Sequence, residues 1–218
     1  MQAIFLDLDG TLVDSKPGIT AAIQHALREM QADVPTSDEL TWGIGASLWD
    51  IFSVLLGPGA DMDQAIALYR EHYTDEAMYQ ADIYDGVGEM LEDFRATGAA
   101  VYVATSKPHA YASKIADHFG ISGWTDGLFG AELDGTRSDK TQLLTFALDE
   151  TGHDPGKSVM IGDRRHDIFG ARNNDIPAIG ALWGYAEEGE LHMAEPDALA
   201  GHPAEVAELL TDLFGLDD

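Results

Sequence analysis

Short apolar runs alternate with helical repeats along most of this chain. The run at residues 3–6 is bounded by polar residues, as is typical of a buried strand. Similar runs predict further strands at residues 100–104, 128–131, 158–161 and 178–183. Between these runs, apolar residues recur at the i, i+3 and i+4 spacing of amphipathic helices. Strands that alternate with helices predict a parallel sheet with helices on both faces, which is an α/β fold.

One long segment breaks this alternation. From residue 15 to residue 85 the apolar residues repeat at helical spacing, and no strand is predicted between residues 15 and 84. Thr36 and Glu39 have the spacing of a capping box at a helix start. We therefore predict an α/β core formed by residues 1–14 and 86–218, with an inserted all-helical cap domain at residues 15–85.

The composition indicates a globular protein without membrane spans or disulfides. The chain has 218 residues, 45% of them hydrophobic, which suits a globular protein of one large domain with an insert. No apolar run approaches the length of a membrane span, and the N-terminus enters the first strand almost at once. Cysteine is absent, which excludes disulfides and thiolate metal sites. These features predict a cytoplasmic protein without a membrane partner.

The charge is strongly negative. There are 39 acidic residues against 12 lysines and arginines, a formal net charge of −27. Such a surface repels a nucleic-acid backbone, so no nucleic-acid partner is expected. Simple solubility is the favoured explanation of the charge. Adaptation to salt is the alternative, because screening by salt relieves the self-repulsion. The few cations are informative, since Lys107 and Lys140 both lie in segments with candidate chemistry.

The stretch Asp7-Leu8-Asp9-Gly10 carries the clearest chemistry. Side chains alternate along a strand, so Asp7 and Asp9 can point to the same side at the end of the first strand. Gly10 permits a sharp backbone turn after them. Paired carboxylates at such a turn can hold a hard cation, and one of them can attack a phosphorus atom. The alternative is an ordinary surface turn, which is common for this pattern alone.

Three further segments with candidate chemistry follow along the chain. Residues 101–106 form an apolar strand that ends in hydroxyl side chains, Lys140 follows a polar loop, and residues 159–167 form a strand followed by Asp163 and Asp167. Together with residues 7–12, they resemble the four motifs of the haloacid dehalogenase superfamily of phosphotransferases. The resemblance runs along most of the chain and implies a Rossmann-like core joined to a helical cap by two hinges.

The resemblance also implies roles for the core residues. Asp7 is the nucleophile that forms an aspartyl-phosphate, and Asp9 is the general acid and base. Thr105 binds a phosphoryl oxygen, and Lys140 neutralises charge on the phosphate and the nucleophile. Relatives that cleave carbon–halogen bonds lack the second aspartate, so Asp9 favours phosphorus chemistry.

A magnesium ion is the cofactor that the resemblance implies. Its protein ligands are expected to be Asp7, the backbone carbonyl of Asp9, and Asp163, with Asp167 beside it or acting through water. Mg²⁺ prefers carboxylates, water and substrate phosphate, which is consistent with this set.

Substrate contacts are expected at two places. Thr105, Ser106 and Lys107 follow the second motif, although Lys107 has an equally good interpretation as a solvated loop residue. In the cap, Gly45 and Ser47 lie in a glycine-bearing turn before a helix, where backbone amides can meet an anion. This turn resembles the specificity loop of phosphoglycolate phosphatase-like members, and an ordinary helix–helix turn explains it equally well.

The expected activity is hydrolysis of a small phosphomonoester by a monomer or homodimer. Phosphoglycolate phosphatases and bacterial 5′-nucleotidases are the groups it resembles, and residues 135–140, 159–163 and 182–185 are slightly more similar to the second group. Trp183 and Tyr185 have two interpretations, stacking on a base or sugar and packing in the core.

Two alternatives remain open. Sugar phosphomutases of the β-phosphoglucomutase type resemble this chain, but they place a histidine in the first hinge, and residues 14–18 contain none. A non-enzymatic regulator of this fold is expected to have lost Asp7, Asp9 or Lys140, and all three are present.

Overall fold

The computed structural model describes residues 1–214, and its chain divides into two compact units. One unit contains residues 1–13 together with the chain from Ile83 onward, and the other contains Asp14–Asp82. These boundaries fall one and three residues before the predicted ones at 14/15 and 85/86. Among the helices within residues 1–214, none combines the length and apolar character needed to cross a membrane.

The first unit is built on a parallel sheet. The strands of the chain are β1 (Ala3–Leu6), β2 (Val13–Asp14), β3 (Asp82–Ile83), β4 (Ala100–Pro108), β5 (Gly127–Ala131), β6 (Ser158–Gly162), β7 (Ala178–Ala181) and β8 (Ala198–Ala200). Six of them form one sheet in the order β5-β4-β1-β6-β7-β8, and β2 pairs with β3 separately. Neighbouring strands of the large sheet are parallel throughout, which confirms the predicted α/β fold.

Helices of the first unit pack against this sheet and supply its apolar cover. The helices of the chain are α1 (Lys16–Glu29), α2 (Leu48–Leu56), α3 (Met62–His72), α4 (Val87–Thr97), α5 (His109–His118), α6 (Lys140–Thr151), α7 (Arg165–Arg172), α8 (Glu190–Ala194) and α9 (Val206–Phe214). Phe5 and Met160 of the sheet pack with Leu143 of α6 and Ile168 of α7 in one buried cluster. Burial of such side chains contributes about 1.5–3 kcal/mol each, so the central strands are held firmly in place.

The register of the sheet aligns the end of β1 with the middle of β4 and with the last residues of β6. Leu6 of β1 lies opposite Val103 of β4 and opposite Ile161 of β6. Because the strands are parallel, the residues that follow these three positions emerge at the same edge. Asp7 is one residue beyond Leu6, and Asp163 is two beyond Ile161, so residues distant in sequence become neighbours.

The second unit is helical apart from the ends of β2 and β3. A 3₁₀ helix at Asp38–Gly43 lies between α1 and α2. Helix α3 follows α2 and continues into a π-helical turn at Tyr73–Ala77. The predicted capping box is present: Thr36 N–H donates to Glu39 Oε2 over 2.9 Å, and Glu39 N–H donates to Thr36 Oγ1 over 3.3 Å.

Several short elements differ from the prediction. The strand β3 lies in the stretch for which no strand was predicted, and β8 and α8 were not predicted at all. Each has two to five residues, too few to show a periodic pattern. The strand β4 extends beyond the predicted end to Pro108, across a register irregularity between Thr105 and Pro108. A backbone irregularity of this kind re-aims side chains at a sheet edge.

Candidate active site

Asp7 and Lys140 form the buried centre of the site. Asp7 leaves the end of β1, and Lys140 is the first residue of α6, which Asp139 caps by accepting the Gln142 N–H. Lys140 Nζ lies 3.0 Å from Asp7 Oδ1 and donates to the Ala104 carbonyl over 2.8 Å. Asp7 Oδ1 accepts no well-directed hydrogen bond, although it is buried. This oxygen therefore has a lone pair that can attack an electrophile or bind a cation.

Asp163 follows β6 directly and Asp167 lies in the first turn of α7, and together they complete the cluster. Asp167 Oδ1 lies 2.7 Å from Lys140 Nζ, and its Oδ2 accepts the Arg164 N–H over 3.0 Å. Asp163 is fully buried and accepts the Tyr185 N–H over 2.7 Å and, more weakly, the Thr11 hydroxyl over 3.4 Å. The predicted residues Asp7, Lys140, Asp163 and Asp167 therefore meet in one place.

The carboxylates of this cluster repel one another. Burial raises the pKa of Asp7 to about 6, with contributions from the charges of Asp167 and Asp9, against the opposing effect of Lys140. Burial and the charges of Asp167 and Asp7 also raise the pKa of Asp163 well above its usual range. Burial lowers the pKa of Lys140, but Asp167 and Asp7 outweigh it and raise that pKa overall. One lysine thus compensates only part of the negative charge.

These three carboxylates fit a hard divalent cation. One oxygen from each of Asp7, Asp163 and Asp167 lies within 4.8 Å of the others. Carboxylate oxygens are the protein ligands that Mg²⁺ accepts most readily. A cation here would also offset the repulsion that adds to the effect of burial in raising the pKa values of Asp7 and Asp163. The donor set and its excess negative charge therefore fit a divalent metal ion.

Asp9 is paired with Lys107. Lys107 Nζ lies 3.0 Å from Asp9 Oδ1 and 2.7 Å from Oδ2, and its side chain is only 7% exposed. The interpretation of Lys107 as a solvated loop residue is therefore wrong. The lysine reaches Asp9 because β4 continues past Thr105 through the irregular stretch that ends at Pro108. Sequence pattern alone does not reveal how such a stretch aims its side chains.

The remaining predicted substrate residues differ in their surroundings. Thr105 is buried and its hydroxyl oxygen accepts the Lys107 N–H over 3.2 Å, whereas Ser106 is half-buried. Gly45 and Ser47 belong to the helical unit and are exposed. Ser47 caps α2 by accepting the Asp50 N–H over 3.1 Å. A substrate role for Gly45 and Ser47 stays a prediction, and the contact of Ser47 with Asp50 is that of a helix N-cap.

A segment after β7 supports the site in a way the sequence did not reveal. Trp183 donates its indole N–H to the Thr11 carbonyl over 3.0 Å, which ties this segment to the turn after Asp9. Gly184 lies so close that an added Cβ would be 2.3 Å from both Asp163 Cβ and the Gly10 carbonyl oxygen. Trp183 thus holds the first motif through its backbone, and a glycine is required beside it.

Gly184→Ala is expected to disturb the site without unfolding the protein. The methyl group would force Asp163 or the Gly10 carbonyl to move, because real Cβ atoms do not approach other atoms to 2.3 Å. We expect at least about a tenfold loss of activity. Steady-state phosphate release measures this effect.

Gly88→Ala is the matched control for that change. Gly88 lies in α4, and an added Cβ there meets no atom within 4 Å. It is expected to leave activity unchanged and to stabilise the protein by about 0.5–1 kcal/mol. Equal activity of Gly184→Ala and Gly88→Ala would contradict the steric role of Gly184.

Comparison with known proteins places the chain in a family. Residues 4–181 match the family model described as haloacid dehalogenase-like hydrolase. A 5′-nucleotidase from Pseudomonas aeruginosa is 37% identical over 208 residues, which cover 95% of this chain and 94% of that protein. The chain therefore belongs to the haloacid dehalogenase-like hydrolases, and it is an enzyme of the hydrolase class.

Other relatives carry different names. A phosphoglycolate phosphatase from Aquifex aeolicus is 26% identical over 96% of this chain and 97% of its own length. A protein named tyrosine-protein kinase PtkA from Mycobacterium tuberculosis is 37% identical over 84% of this chain, which spans 63% of that protein. Among solved structures, one described as a predicted phosphatase from Clostridium acetobutylicum matches with a TM-score of 0.90 and 29% identity, over 97% of this chain and 98% of that one.

Proposed function

We propose that this protein is a magnesium-dependent phosphatase that hydrolyses a small phosphomonoester through an aspartyl-phosphate at Asp7. The observation that carries the proposal is the buried Asp7 carboxylate, which lies 3.0 Å from Lys140 and within one cluster with Asp163 and Asp167. Family membership and relatives named 5′-nucleotidase and phosphoglycolate phosphatase support the same activity.

In the first step, a carboxylate oxygen of Asp7 attacks the phosphorus atom and the ester P–O bond breaks. The leaving alcohol takes a proton from Asp9. Lys140 offsets negative charge between the phosphoryl group and Asp7, and Thr105 donates its hydroxyl to a phosphoryl oxygen. The Asp7 carboxylate and the substrate phosphate would otherwise repel each other, and these contacts allow them to approach at the end of β1.

In the second step, water attacks the phosphorus atom and gives a proton to Asp9. The bond between phosphorus and Asp7 breaks, which releases inorganic phosphate and restores the carboxylate. Lys107 contacts both oxygens of Asp9, and each of these oxygens keeps a second lone pair that can take a proton. The phosphate of an arriving substrate offers Lys107 an alternative anionic partner.

We propose Asp7, Asp163 and the backbone carbonyl of Asp9 as the residues that hold the magnesium ion, with Asp167 beside it or acting through water. When bound, the ion neutralises charge on the phosphoryl group and the carboxylates. The cluster geometry and the raised pKa of Asp163 support this assignment.

The proposed substrates are small phosphorylated metabolites, with nucleoside monophosphates ahead of phosphoglycolate. The basis is the higher identity to the 5′-nucleotidase, 37%, than to the phosphoglycolate phosphatase, 26%. We also propose that residues 15–85 act as a cap that selects the substrate, with Gly45 and Ser47 as candidates for that selection.

The relative named as a tyrosine kinase raises a second candidate function. A phosphoryl group on Asp7 can pass to a hydroxyl group instead of water, which makes a phosphotransferase of the same site. A phosphomutase is a further variant of the same idea. The phosphatase, phosphotransferase and phosphomutase functions differ in the group that accepts the phosphoryl group from Asp7.

A panel of phosphorylated metabolites tests this function. Purified protein is incubated with nucleoside monophosphates, phosphoglycolate and sugar phosphates, with Mg²⁺ and then with excess chelator. We expect release of inorganic phosphate that requires Mg²⁺ and that returns when Mg²⁺ is restored. Full activity in excess chelator would contradict the metal assignment. Isomerisation of a sugar phosphate would favour a phosphomutase. Transfer of a phosphoryl group from ATP to tyrosine without net phosphate release would favour a phosphotransferase.

A further inference from the structure

One carboxylate outside the catalytic cluster contacts the segment that links Asp163 to Asp167, which comprises the turn after β6 and the first residues of α7. Glu190, the first residue of α8, is 5% exposed. Its Oε1 accepts Arg164 Nε over 3.0 Å and the Arg165 backbone N–H over 2.9 Å. The same oxygen therefore contacts the side chain of the N-cap residue of α7 and the backbone N–H of its first residue. This fixes both the position and the direction of the segment's backbone.

The segment so held lies between the two metal-cluster carboxylates. Asp163 directly precedes Arg164, and the Arg164 backbone N–H donates to Asp167 Oδ2 over 3.0 Å. Asp167 Oδ1 in turn lies 2.7 Å from Lys140 Nζ. A continuous series of polar contacts therefore runs from Glu190 through Arg164 to Asp167 and the buried lysine.

Glu190 is itself held in place. Its Oε2 accepts the Glu187 N–H over 3.1 Å, and the Arg164 side chain that it contacts is only 10% exposed. Burial raises the pKa of Glu190, but the hydrogen bonds from Arg165, Arg164 and Glu187 outweigh it and lower the pKa overall. Cationic side chains are scarce in this chain, which has 12 lysines and arginines against 39 acidic residues. One of these few cations, Arg164, lies in this buried pair.

We infer that Glu190 is a positioning residue for the divalent cation, acting through Arg164 and Arg165 on Asp163 and Asp167. The inference rests on the proposed metal-dependent function. Groups that orient metal ligands from behind change metal affinity or activity by about 10–100-fold when they are removed. A residue that serves only the fold would change the free energy of unfolding and leave the metal affinity of the folded protein unchanged.

The test compares Glu190→Ala and Glu190→Gln with wild type. Binding of Mg²⁺ alone is measured by calorimetry, and thermal unfolding is measured in excess chelator to verify that each variant is folded. Glu190→Gln keeps the side-chain shape and one acceptor oxygen, so it remains informative if the alanine variant unfolds. Glu188→Gln is the matched control, because it removes one charge from an exposed position two residues away.

We expect Glu190→Ala to weaken Mg²⁺ binding by about 10–100-fold, Glu190→Gln to weaken it less, and Glu188→Gln to leave it unchanged. Equal Mg²⁺ affinity of wild type and both Glu190 variants would overturn the inference and leave the proposed function standing. Absence of Mg²⁺ binding to wild-type protein would overturn the proposed metal and the inference together.

Discussion

Asp7→Asn is expected to lose at least about a thousandfold in turnover of every phosphomonoester. The amide has nearly the same shape as the carboxylate but is a poor nucleophile, so the first step fails while the site keeps its packing. Turnover is measured on protein that is free of contaminating phosphatase. Substantial retained activity would contradict the assignment of Asp7 as nucleophile.

The same variant is expected to be more stable than wild type when no metal is bound. In the folded protein the pKa of Asp7 is raised to about 6, above the ordinary value of 3.8. A raised carboxylate pKa means that folding disfavours the ionised form, so wild-type stability falls as the pH rises from about 4 through 6. Asparagine carries no charge and avoids this cost, which is on the order of 2–3 kcal/mol at pH 7.5.

Chemical denaturation in excess chelator measures this difference. We expect the stability of Asp7→Asn over wild type to be largest at pH 7.5 and to shrink as the pH falls toward 4. A less stable Asp7→Asn variant at pH 7.5 would show that the Lys140 ion pair outweighs burial and repulsion at this position.

Lys140→Met is expected to destroy both activity and much of the metal-free stability. The ammonium lies 3.0 Å from Asp7 and 2.7 Å from Asp167, and its side chain is 3% exposed. Methionine leaves these carboxylates buried without their cation, and the loss of one partner of a buried pair costs about 3–5 kcal/mol. Activity should fall at least about a thousandfold, because Lys140 also offsets charge on the phosphoryl group.

Lys157→Met is the matched control for charge and side-chain length. Its side chain is 61% exposed and lies 3.8 Å from Asp154, an ion pair expected to contribute less than about 1 kcal/mol. Denaturation and turnover of the two variants are compared in the same buffer. Similar small effects for Lys140→Met and Lys157→Met would contradict the central position of Lys140.

The sequence predicts the centre of this site because motif and topology agree there. Asp7, Lys140 and Asp163 each lie beside a strand or helix end that the apolar pattern locates, and parallel strands bring their carboxyl ends together. The same reasoning locates the strands of the sheet except β8, which has three residues. Long, periodic elements are predictable because burial of one face determines them.

The supporting contacts are not predictable in this way. Trp183 contacts Thr11 and Glu190 contacts Arg164, and the partners in these pairs lie 172 and 26 residues apart. Such pairs depend on how loops fold back over the sheet edge, and no local spacing encodes that path. Lys107 is a similar case, because an irregular stretch of β4 determines its direction toward Asp9.

The most direct test of the account is to trap the phosphorylated Asp7. Asp9→Asn is mixed rapidly with p-nitrophenyl phosphate and Mg²⁺, since this leaving group departs without an acid but water still needs Asp9 as base. Acid quenching, borohydride reduction and peptide mass spectrometry then identify any acyl phosphate as homoserine.

The account predicts a burst of p-nitrophenolate stoichiometric with enzyme, slow turnover afterwards, and homoserine at position 7. The double variant Asp7→Asn, Asp9→Asn should show neither burst nor homoserine. A burst that survives in the double variant, or p-nitrophenolate release by Asp9→Asn with no modification of Asp7, would contradict covalent catalysis by Asp7.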